Sequence, residues 1–324
     1  MTPVTKMHRA LSSIDRRLGV SWEKAQLAGA KRRPPCECRL DRLEVTASEM
    51  DESLVLAIPG FRQGRNHYLR RKNPKDFLPY GRRTEYMTNG SISQVVVLSE
   101  PSISHIAPCK VTLIARDEVG LEPKDVLSVL ELLPGAKVVL VEIAFDFGYS
   151  AGVDGAWVRS HSLFGKARRN QVGIRRGWDA WGSRRGAKFV RSYYKKELKI
   201  HRLELQLNRK FLRCFGIKDI FDFRRLMSIL PVNHLLFAEI DNAKLLHHLR
   251  MGGHWGSEFW QILERVADGS GDLLLQCAVL RKRGGLKNVR RVLIPLEENH
   301  LIVNALQKWA AQWPDKPRQL GRKG

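Results

Sequence analysis

Alternating apolar and polar positions over residues 188–207 predict a β-hairpin. In its second half leucine occupies every other position, and Arg202, Glu204 and Gln206 occupy the positions between. Successive side chains of a strand point to opposite faces, so this strand has one apolar and one polar face. Tyr193 lies in the first half of the hairpin. We therefore expect a tyrosine and a carboxylate on the same side of one sheet.

Further apolar segments predict a sheet with helices packed on it. Residues 137–147 are typical of a long strand, residues 94–98 and 110–115 of shorter ones, and residues 122–133 of a helix with Pro123 in its first turn. The order strand, helix, strand is common in α+β proteins. We therefore expect an α+β fold with an antiparallel-rich central sheet, helices on one face and a mostly helical C-terminal region.

The N-terminal region has weaker patterns. Residues 5–18 and 21–31 predict two short helices, which form either a helix-turn-helix or an arm folded against the main domain. Residues 38–40 and 54–58 have strand character, and a basic loop is expected from residue 61 to residue 80. Its arginines alternate with aromatic residues, which suits single-stranded nucleic acid because cations hold phosphates and rings stack on bases.

The C-terminal region is predicted to be mostly helical. A basic strand at 287–295 precedes its last helix, which would suit either a winged helix or an accessory domain without DNA contact. The tail, 316–324, is expected to be disordered. The helices are predicted at residues 210–215, 219–229, 243–251, 256–267, 272–283 and 299–312. The expected regions of the whole chain are a basic N-terminal region 1–83, a catalytic domain 84–232 and the C-terminal region 233–324.

Composition points to a polyanionic partner. The chain has 324 residues and a formal net charge of +23, far beyond what solubility requires. Nucleic acid is the first candidate, and a membrane surface the second. No run of 18 apolar residues and no signal-peptide pattern occurs, so we expect a cytoplasmic protein that does not enter a membrane. The five cysteines are scattered, which favours reduced thiols over disulfides or a zinc site.

The charge is unevenly distributed. Residues 84–157 carry 4 Lys+Arg against 10 Asp+Glu, whereas residues 158–213 carry 17 against 3. A nuclease needs carboxylates for a metal and cations for the DNA backbone, and this distribution suits it. An ordinary acidic subdomain beside a solvated basic face would give the same counts.

Two acids interrupt the apolar strand 137–147. Glu142 and Asp146 lie on one face of it, with Ala144 between them. Carboxylates in such a strand are costly unless a positive group lies beside them. Either a divalent metal or arginine side chains would serve, and the acidic surroundings favour the metal.

Four segments resemble the rolling-circle replication initiators of plasmids and filamentous phages, the replication initiation factor group, distantly related in fold to HUH endonucleases. They occur in the order residues 141–147 (VEIAFDF), 181–186 (WGSRRG), 190–196 (VRSYYKK) and 202–207 (RLELQL). The resemblance covers about residues 95–230 and implies a replication-initiator nuclease-like sheet. The chain has no His-x-His pair, which excludes a conventional HUH metal site.

The resemblance implies a tyrosine nucleophile and a metal site. Tyr193 is the nucleophile by this comparison, although the adjacent Tyr194 leaves the choice open. The implied metal ligands are Glu142, Asp146 and Glu204, and the cofactor is Mg²⁺ or Mn²⁺. The residues expected to bind DNA are Arg184, Arg185, Lys188, Arg191, Lys195, Arg70 and Arg71.

The first functional hypothesis is a DNA-binding replication initiator that nicks one strand at a plasmid or phage origin. Tyrosine would attack the phosphodiester, keep the 5′ phosphate and free a 3′ hydroxyl for synthesis. Its expected partners are origin duplex and single strand, a host helicase and polymerase, and a second copy in a homodimer. The alternative is a non-catalytic nucleic-acid-binding regulator on the same fold.

Overall fold

The computed structural model describes residues 35–70, 77–88, 90–116, 119–162, 164, 178–233, 235–241, 244 and 293–315. Eleven strands lie in these residues, nine of them in one large sheet and two in a small one. The strands are β1 Cys36–Ala47, β2 Arg62–Tyr68, β3 Tyr80–Met87, β4 Ile92–Pro101, β5 Cys109–Ala115, β6 Lys137–Phe147, β7 Trp178–Gly182, β8 Lys188–Lys195, β9 Ile200–Asn208, β10 Ala238–Ile240 and β11 Leu293–Pro295.

The large sheet has the order β2-β3-β4-β5-β1-β6-β9-β8-β7. All of its neighbouring strands are antiparallel. The second sheet pairs β10 with β11. Strands β6 and β9 lie next to each other, so the predicted acid-bearing strand pairs directly with the second strand of the predicted hairpin.

The helices cover one face of the large sheet. Apolar side chains from every helix join the β-strand residues Val141, Ile143 and Leu205 in one core cluster. The helices are α1 Glu52–Ala57, α2 Pro123–Leu130, α3 Gly155–His161, α4 Arg209–Cys214, α5 Leu226–Asn233 and α6 Asn299–Ala311, with 3₁₀ helices at Tyr149–Ala151 and Ile220–Arg225. The predicted α+β class, with an antiparallel sheet and helices on one face, is confirmed.

The opposite face of the sheet is polar along its central strands. We call it the open face and define it by Arg42, Glu142, Arg191 and Glu204, which the register places side by side on β1, β6, β8 and β9. Alternation explains the division, because a strand that buries every second side chain under helices must point the others away from them.

One strand of the centre breaks the alternation. Leu40 of β1 pairs with Ile143 of β6, but the next pair is Arg42 with Glu142, so Asp41 is an extra residue in β1. Such a β-bulge leaves one residue unpaired and bends the strand locally. The bulge brings Asp41 within hydrogen-bond distance of Arg202 on β9.

Several predicted elements have the expected bounds. Strand β6 begins and ends at the predicted residues, and β8 and β9 form the predicted hairpin. The strand predicted at 54–58 is wrong, since α1 occupies it: the Asp51 side chain caps this helix by accepting a hydrogen bond from the Ser53 amide at 2.9 Å. The basic loop predicted from residue 61 is also wrong in part, because residues 62–68 form β2.

Two other segments differ from the sequence analysis. Helix α3 lies in a segment for which the sequence analysis predicted no element, and Asp154 caps its first turn by accepting a hydrogen bond from the Trp157 amide at 2.8 Å. The helix expected at 219–229 is divided into the 3₁₀ helix and α5. The predictions for residues 5–31, for 243–283 apart from Lys244 and for the tail 316–324 lie outside the described residues.

The C-terminal helix α6 belongs to the same core. Trp309 stacks on Phe223 at a centroid distance of 5.8 Å, and Trp313 meets Phe223 edge-on at 4.9 Å. The predicted domain boundaries stay predictions. No helix among the described residues has the length and apolarity needed to cross a membrane.

Candidate active site on the open face

A concave pocket of about 290 Å³ opens on the open face over the central strands. We call it the Tyr193 pocket. It is polar, and it mixes three carboxylates with four arginines and one tyrosine. The lining residues are Asp41, Arg42, Ile114, Ala115, Glu142, Arg184, Phe189, Arg191, Tyr193, Arg202, Glu204 and Gln206.

The hairpin β8–β9 places Tyr193 beside a carboxylate. Arg191 is directly opposite Glu204 in the register, and Tyr193 is opposite Arg202, two residue pairs further along and on the same face. The Tyr193 hydroxyl donates a hydrogen bond to Oε1 of Glu204. This is the arrangement in which a carboxylate can accept a proton from a tyrosine as its oxygen attacks.

Arg191 holds the two acids of the neighbouring strands together. Its Nε donates to Oε2 of Glu204, and its NH2 donates to Oε1 of Glu142 at 3.3 Å. Its guanidinium carbon also lies 5.4 Å from the centre of the Tyr193 ring. One cation therefore orients the tyrosine, its carboxylate partner and a second carboxylate.

Arg202 forms the floor of the pocket and is almost completely buried, at 1% exposure. It makes a two-point contact with Asp146, from Nε to Oδ1 at 2.5 Å and from NH2 to Oδ2 at 2.7 Å. Its NH1 donates to Oδ2 of Asp41 at 2.8 Å. Asp146 is thus held behind the pocket, outside its lining.

Asp41 is a pocket residue that the sequence analysis missed. Its second oxygen, Oδ1, is buried and has no hydrogen-bond partner among the described residues. Burial raises the pKa of Asp41 to about 7, against the attraction of Arg202, and the nearby Glu204, Asp146 and Glu142 raise it further. The sequence contained a signal, because the spacing from Leu40 to Leu43 is three instead of two, as a bulge requires.

The acids and the tyrosine influence each other's protonation. Burial and then the charge of Glu204 raise the pKa of Glu142 to about 7, while Arg191 opposes the shift. Burial, followed by the charge and hydrogen bond of Glu204, raises the pKa of Tyr193. The phenol is therefore protonated at neutral pH, and an attack by its oxygen needs a base beside it.

The carboxylates of the described residues are not arranged as the ligands of a metal ion. No group of three or more His, Cys, Asp or Glu side chains in the described part of the chain is placed to hold a metal ion. Each of the three predicted ligands contacts an arginine: Glu142 and Glu204 contact Arg191, and Asp146 contacts Arg202. Of the two alternatives that the sequence left open, arginine pairing is the one present in this structure, and the metal assignment stays a prediction.

Tyr193 and Tyr194 lie on opposite faces of β8. Tyr193 is partly buried in the pocket, whereas Tyr194 pairs in register with His201 and is 55% exposed. Of these two tyrosines, only Tyr193 has a hydroxyl hydrogen bond to a carboxylate among the described residues. Tyr193 is therefore the tyrosine whose surroundings suit a nucleophile.

The turn between β7 and β8 brings arginines to the rim. Gly182 has φ of +85°, and a Cβ there would be 2.7 Å from the Lys188 carbonyl oxygen, so the turn needs glycine. Gln206 and Asn208 donate to the Arg184 carbonyl at 3.0 and 2.8 Å and fix the turn on β9. The Arg184 guanidinium lies over the Phe189 ring at 5.6 Å.

The predicted DNA-binding residues are only partly brought together. Arg184 and Arg191 line the pocket, and Arg185 lies exposed in the same turn. Lys188 begins β8, where burial lowers its pKa to about 8, and Lys195 is the last residue of that strand. Arg70 follows β2 at the far edge of the sheet, away from the pocket, and Arg71 lies outside the described residues.

The fold and the pocket define an antiparallel-sheet protein with a tyrosine, carboxylate and arginine cluster on the face opposite its helices. No protein-family model matches the chain. No curated protein matches it. A solved structure that it resembles is a rolling circle replication initiator protein from Geobacillus stearothermophilus, with 16% sequence identity and a TM-score of 0.37; the match covers 63% of this chain and 87% of that chain.

Proposed function

We propose that this protein is a DNA-binding replication initiator that nicks one strand by attack of Tyr193 on a phosphodiester. The observation that carries the proposal is the hydrogen bond from the Tyr193 hydroxyl to Glu204 inside a pocket lined by arginines. A tyrosine beside a base suits covalent catalysis, and arginines suit a phosphate. The net charge of +23 suits a nucleic-acid substrate.

In the proposed reaction, Glu204 takes the proton of Tyr193 while the tyrosine oxygen forms a bond to phosphorus. The bond from phosphorus to the 3′ oxygen breaks, and that oxygen leaves and takes a proton from solvent. The products are a 5′ phosphotyrosine ester and a free 3′ hydroxyl, which can prime synthesis. General-base help of this kind is typically worth about 10²–10⁴ in rate.

Arginines would stabilise the charge that develops on the phosphate. Arg184 and Arg191 line the pocket, and Nε of Arg42 is buried without a hydrogen-bond partner among the described residues. A buried donor without a partner is costly, and a phosphate oxygen would satisfy it. We expect Arg191 to turn from Glu142 towards the phosphate when DNA binds.

A requirement for Mg²⁺ or Mn²⁺ remains a proposal, and no step above depends on it. Glu142 and Glu204 are the pocket acids that could take up a cation, and Arg191 would first have to release them. Assays with and without added metal, after treatment with a chelator, test this requirement directly. The host helicase and polymerase, and a second copy of the chain, likewise stay proposed partners.

Two tyrosine variants test the proposal. Supercoiled plasmid that carries the origin of the replicon encoding this chain is incubated with the wild type, Tyr193→Phe or Tyr194→Phe, with and without metal. We expect wild type and Tyr194→Phe to give nicked plasmid and a covalent adduct at the 5′ end. Tyr193→Phe keeps the ring, so it should bind DNA normally and form no adduct. An adduct that survives Tyr193→Phe would contradict the assignment.

A second function is favoured by one observation, the pairing of each pocket carboxylate with an arginine. Such a cluster suits a non-catalytic protein that binds nucleic acid and regulates it. The same experiment separates the two functions, because a regulator would bind the plasmid and leave it supercoiled in every metal condition.

A further inference from the structure

The edge strand β2 is exposed along its whole length. All seven of its residues are exposed, and Tyr68 reaches 70% exposure. The neighbouring strand β3 pairs with β2 from Arg62 opposite Met87 to Tyr68 opposite Arg82. The sheet therefore extends past its core at this edge, with solvent on both faces of the outer strand.

Three cations of this edge have no acidic partner among the described residues. Arg62 and Arg65 of β2 and Arg82 of β3 form no ion pair with any carboxylate in the described part of the chain. Arg82 donates instead to the side-chain oxygen of Asn66 at 3.1 Å. The segment 62–70 contains three arginines and no acid. Arginines on an exposed edge that form no ion pair with a described carboxylate suit the binding of phosphates.

The cations lie on both faces of the edge. The register places Arg62 opposite Met87 and His67 opposite Arg83, on the side of the open face. Arg82 directly precedes Arg83 in β3, so its side chain points to the other side. A single strand would lie along one face, whereas the two backbones of a duplex groove flank an inserted element on both sides. A sheet edge is about 10 Å thick with its side chains and fits a major groove about 12 Å wide.

This edge is distant from the proposed reaction. Tyr193 is on β8, which lies seven strand positions from β2 in the sheet. At about 4.8 Å per position the two are roughly 30 Å apart along the sheet. A ligand held at the edge therefore does not compete with a strand in the Tyr193 pocket.

We propose that the β2 edge, through Arg62, Arg65 and Arg82, binds the backbones of duplex DNA at a site separate from the Tyr193 pocket. The inference rests on the proposed function only in taking DNA as the substrate. It adds a duplex anchor, which would hold the double-stranded flank of a site while the pocket takes an unpaired strand.

The test measures binding without cleavage. The full chain is titrated with a labelled 30-base-pair duplex of mixed sequence and with a labelled 30-nucleotide single strand, over a range of salt concentrations. Arg62→Gln/Arg65→Gln should weaken duplex binding and lower the slope of log K against log salt by about 2, since each phosphate contact contributes about 0.9. Single-strand binding should change less.

Two matched variants show whether charge at this place is responsible. Lys210→Gln/Arg213→Gln removes the same charge from exposed residues of α4 and should leave the duplex slope unchanged. Arg62→Lys/Arg65→Lys keeps the charge and should keep the slope. The proposal would be overturned if the slope stayed unchanged in Arg62→Gln/Arg65→Gln. It would also be overturned if the slope fell equally in that variant and in Lys210→Gln/Arg213→Gln.

The other use of an exposed edge is pairing with a second copy. If the wild type is a dimer and the β2 glutamine variant a monomer at the same concentration and salt, the edge is a subunit interface and the duplex proposal is wrong. Failure of the wild type to bind either DNA probe would overturn the proposed function as well. Nicking that is lost only with Tyr193→Phe tests the pocket and leaves the edge proposal unaffected.

Discussion

One buried cation organises the acids beneath Tyr193. Arg202 contacts Asp146 through two hydrogen bonds and Asp41 through a third, and it is opposite Tyr193 in the register of β8 and β9. Burial lowers the pKa of Arg202, but the hydrogen bond to Asp146 and the charges of Asp41 and Asp146 outweigh this effect, so the pKa is raised. Since a buried charge is tolerated only when it is paired, Asp41 depends on this arginine, and Asp146 depends on it together with Arg39, whose Nε is 3.6 Å away.

Replacing Arg202 by leucine should therefore be strongly destabilising. The change leaves Asp41 buried without its cation and leaves Asp146 with only the longer contact to Arg39 at 3.6 Å, and breaking a buried pair in this way typically costs about 3–5 kcal/mol. Urea unfolding followed by circular dichroism gives the free energy of unfolding. Arg213→Leu, at an exposed position of α4, is the matched control and should stay within about 0.5 kcal/mol of wild type. A cost below about 1 kcal/mol for Arg202→Leu would contradict this view of the pocket floor.

One tight turn joins β7 to β8 and is held against β9. Gly182 takes a positive φ, and the turn that follows is fixed through Asn208, whose side chain donates to the Arg184 carbonyl at 2.8 Å. If the turn changed shape, Arg191 and Tyr193 would shift against Glu204. The sequence of the turn thus affects the pocket without contributing a reactive group.

Gly182→Ala should destabilise the protein and weaken adduct formation together. The added methyl group would meet the Lys188 carbonyl, and a non-glycine residue at positive φ costs about 1–3 kcal/mol. Gly135→Ala is the control, since its φ of +65° carries strain but no atom lies within 4 Å of the added carbon. Thermal unfolding should therefore show a larger loss for Gly182→Ala. If both variants lowered the unfolding temperature equally, backbone strain alone would account for the effect, and the contact with the Lys188 carbonyl would not contribute.

The local pattern of apolar and polar residues was enough to predict the strands that position the site residues. Alternation predicted β6 with its bounds and the β8–β9 hairpin, because a strand buried on one face must repeat every second residue. The segment 54–58 was misjudged because a short apolar run fits a strand or a helix equally well, and the Asp51 cap decides for the helix.

Contacts between distant strands were beyond the sequence analysis. Glu142 and Glu204 were expected together only as implied metal ligands, and their sharing of Arg191 depends on the register of three strands. Asp41 reaches the pocket from 161 positions away from Arg202 in the chain, and only because of the bulge in β1. The pairing of these acids with arginines therefore became visible only in the structure.

At the scale of the whole molecule, the last helix completes the core. Helix α6 buries Ile302, Leu306 and Trp309, and Trp313 follows it with 1% exposure. The helix packs on β1, the strand that contributes Asp41 and Arg42 to the pocket, and its tryptophans meet Phe223. The site therefore depends on a segment that follows it by almost a hundred residues.

Two truncations should separate the contribution of α6 to stability from that of residues 316–324. A chain that ends at residue 315 keeps α6 and should unfold cooperatively near the wild-type temperature. A chain that ends at residue 298 loses four large buried side chains, each of which contributes about 2–5 kcal/mol, against a total stability of about 5–15 kcal/mol. We expect the shorter chain to lose cooperative unfolding and, with it, duplex binding and adduct formation. If it unfolds cooperatively and still forms the Tyr193 adduct, the sheet and pocket are stable without the C-terminal helix.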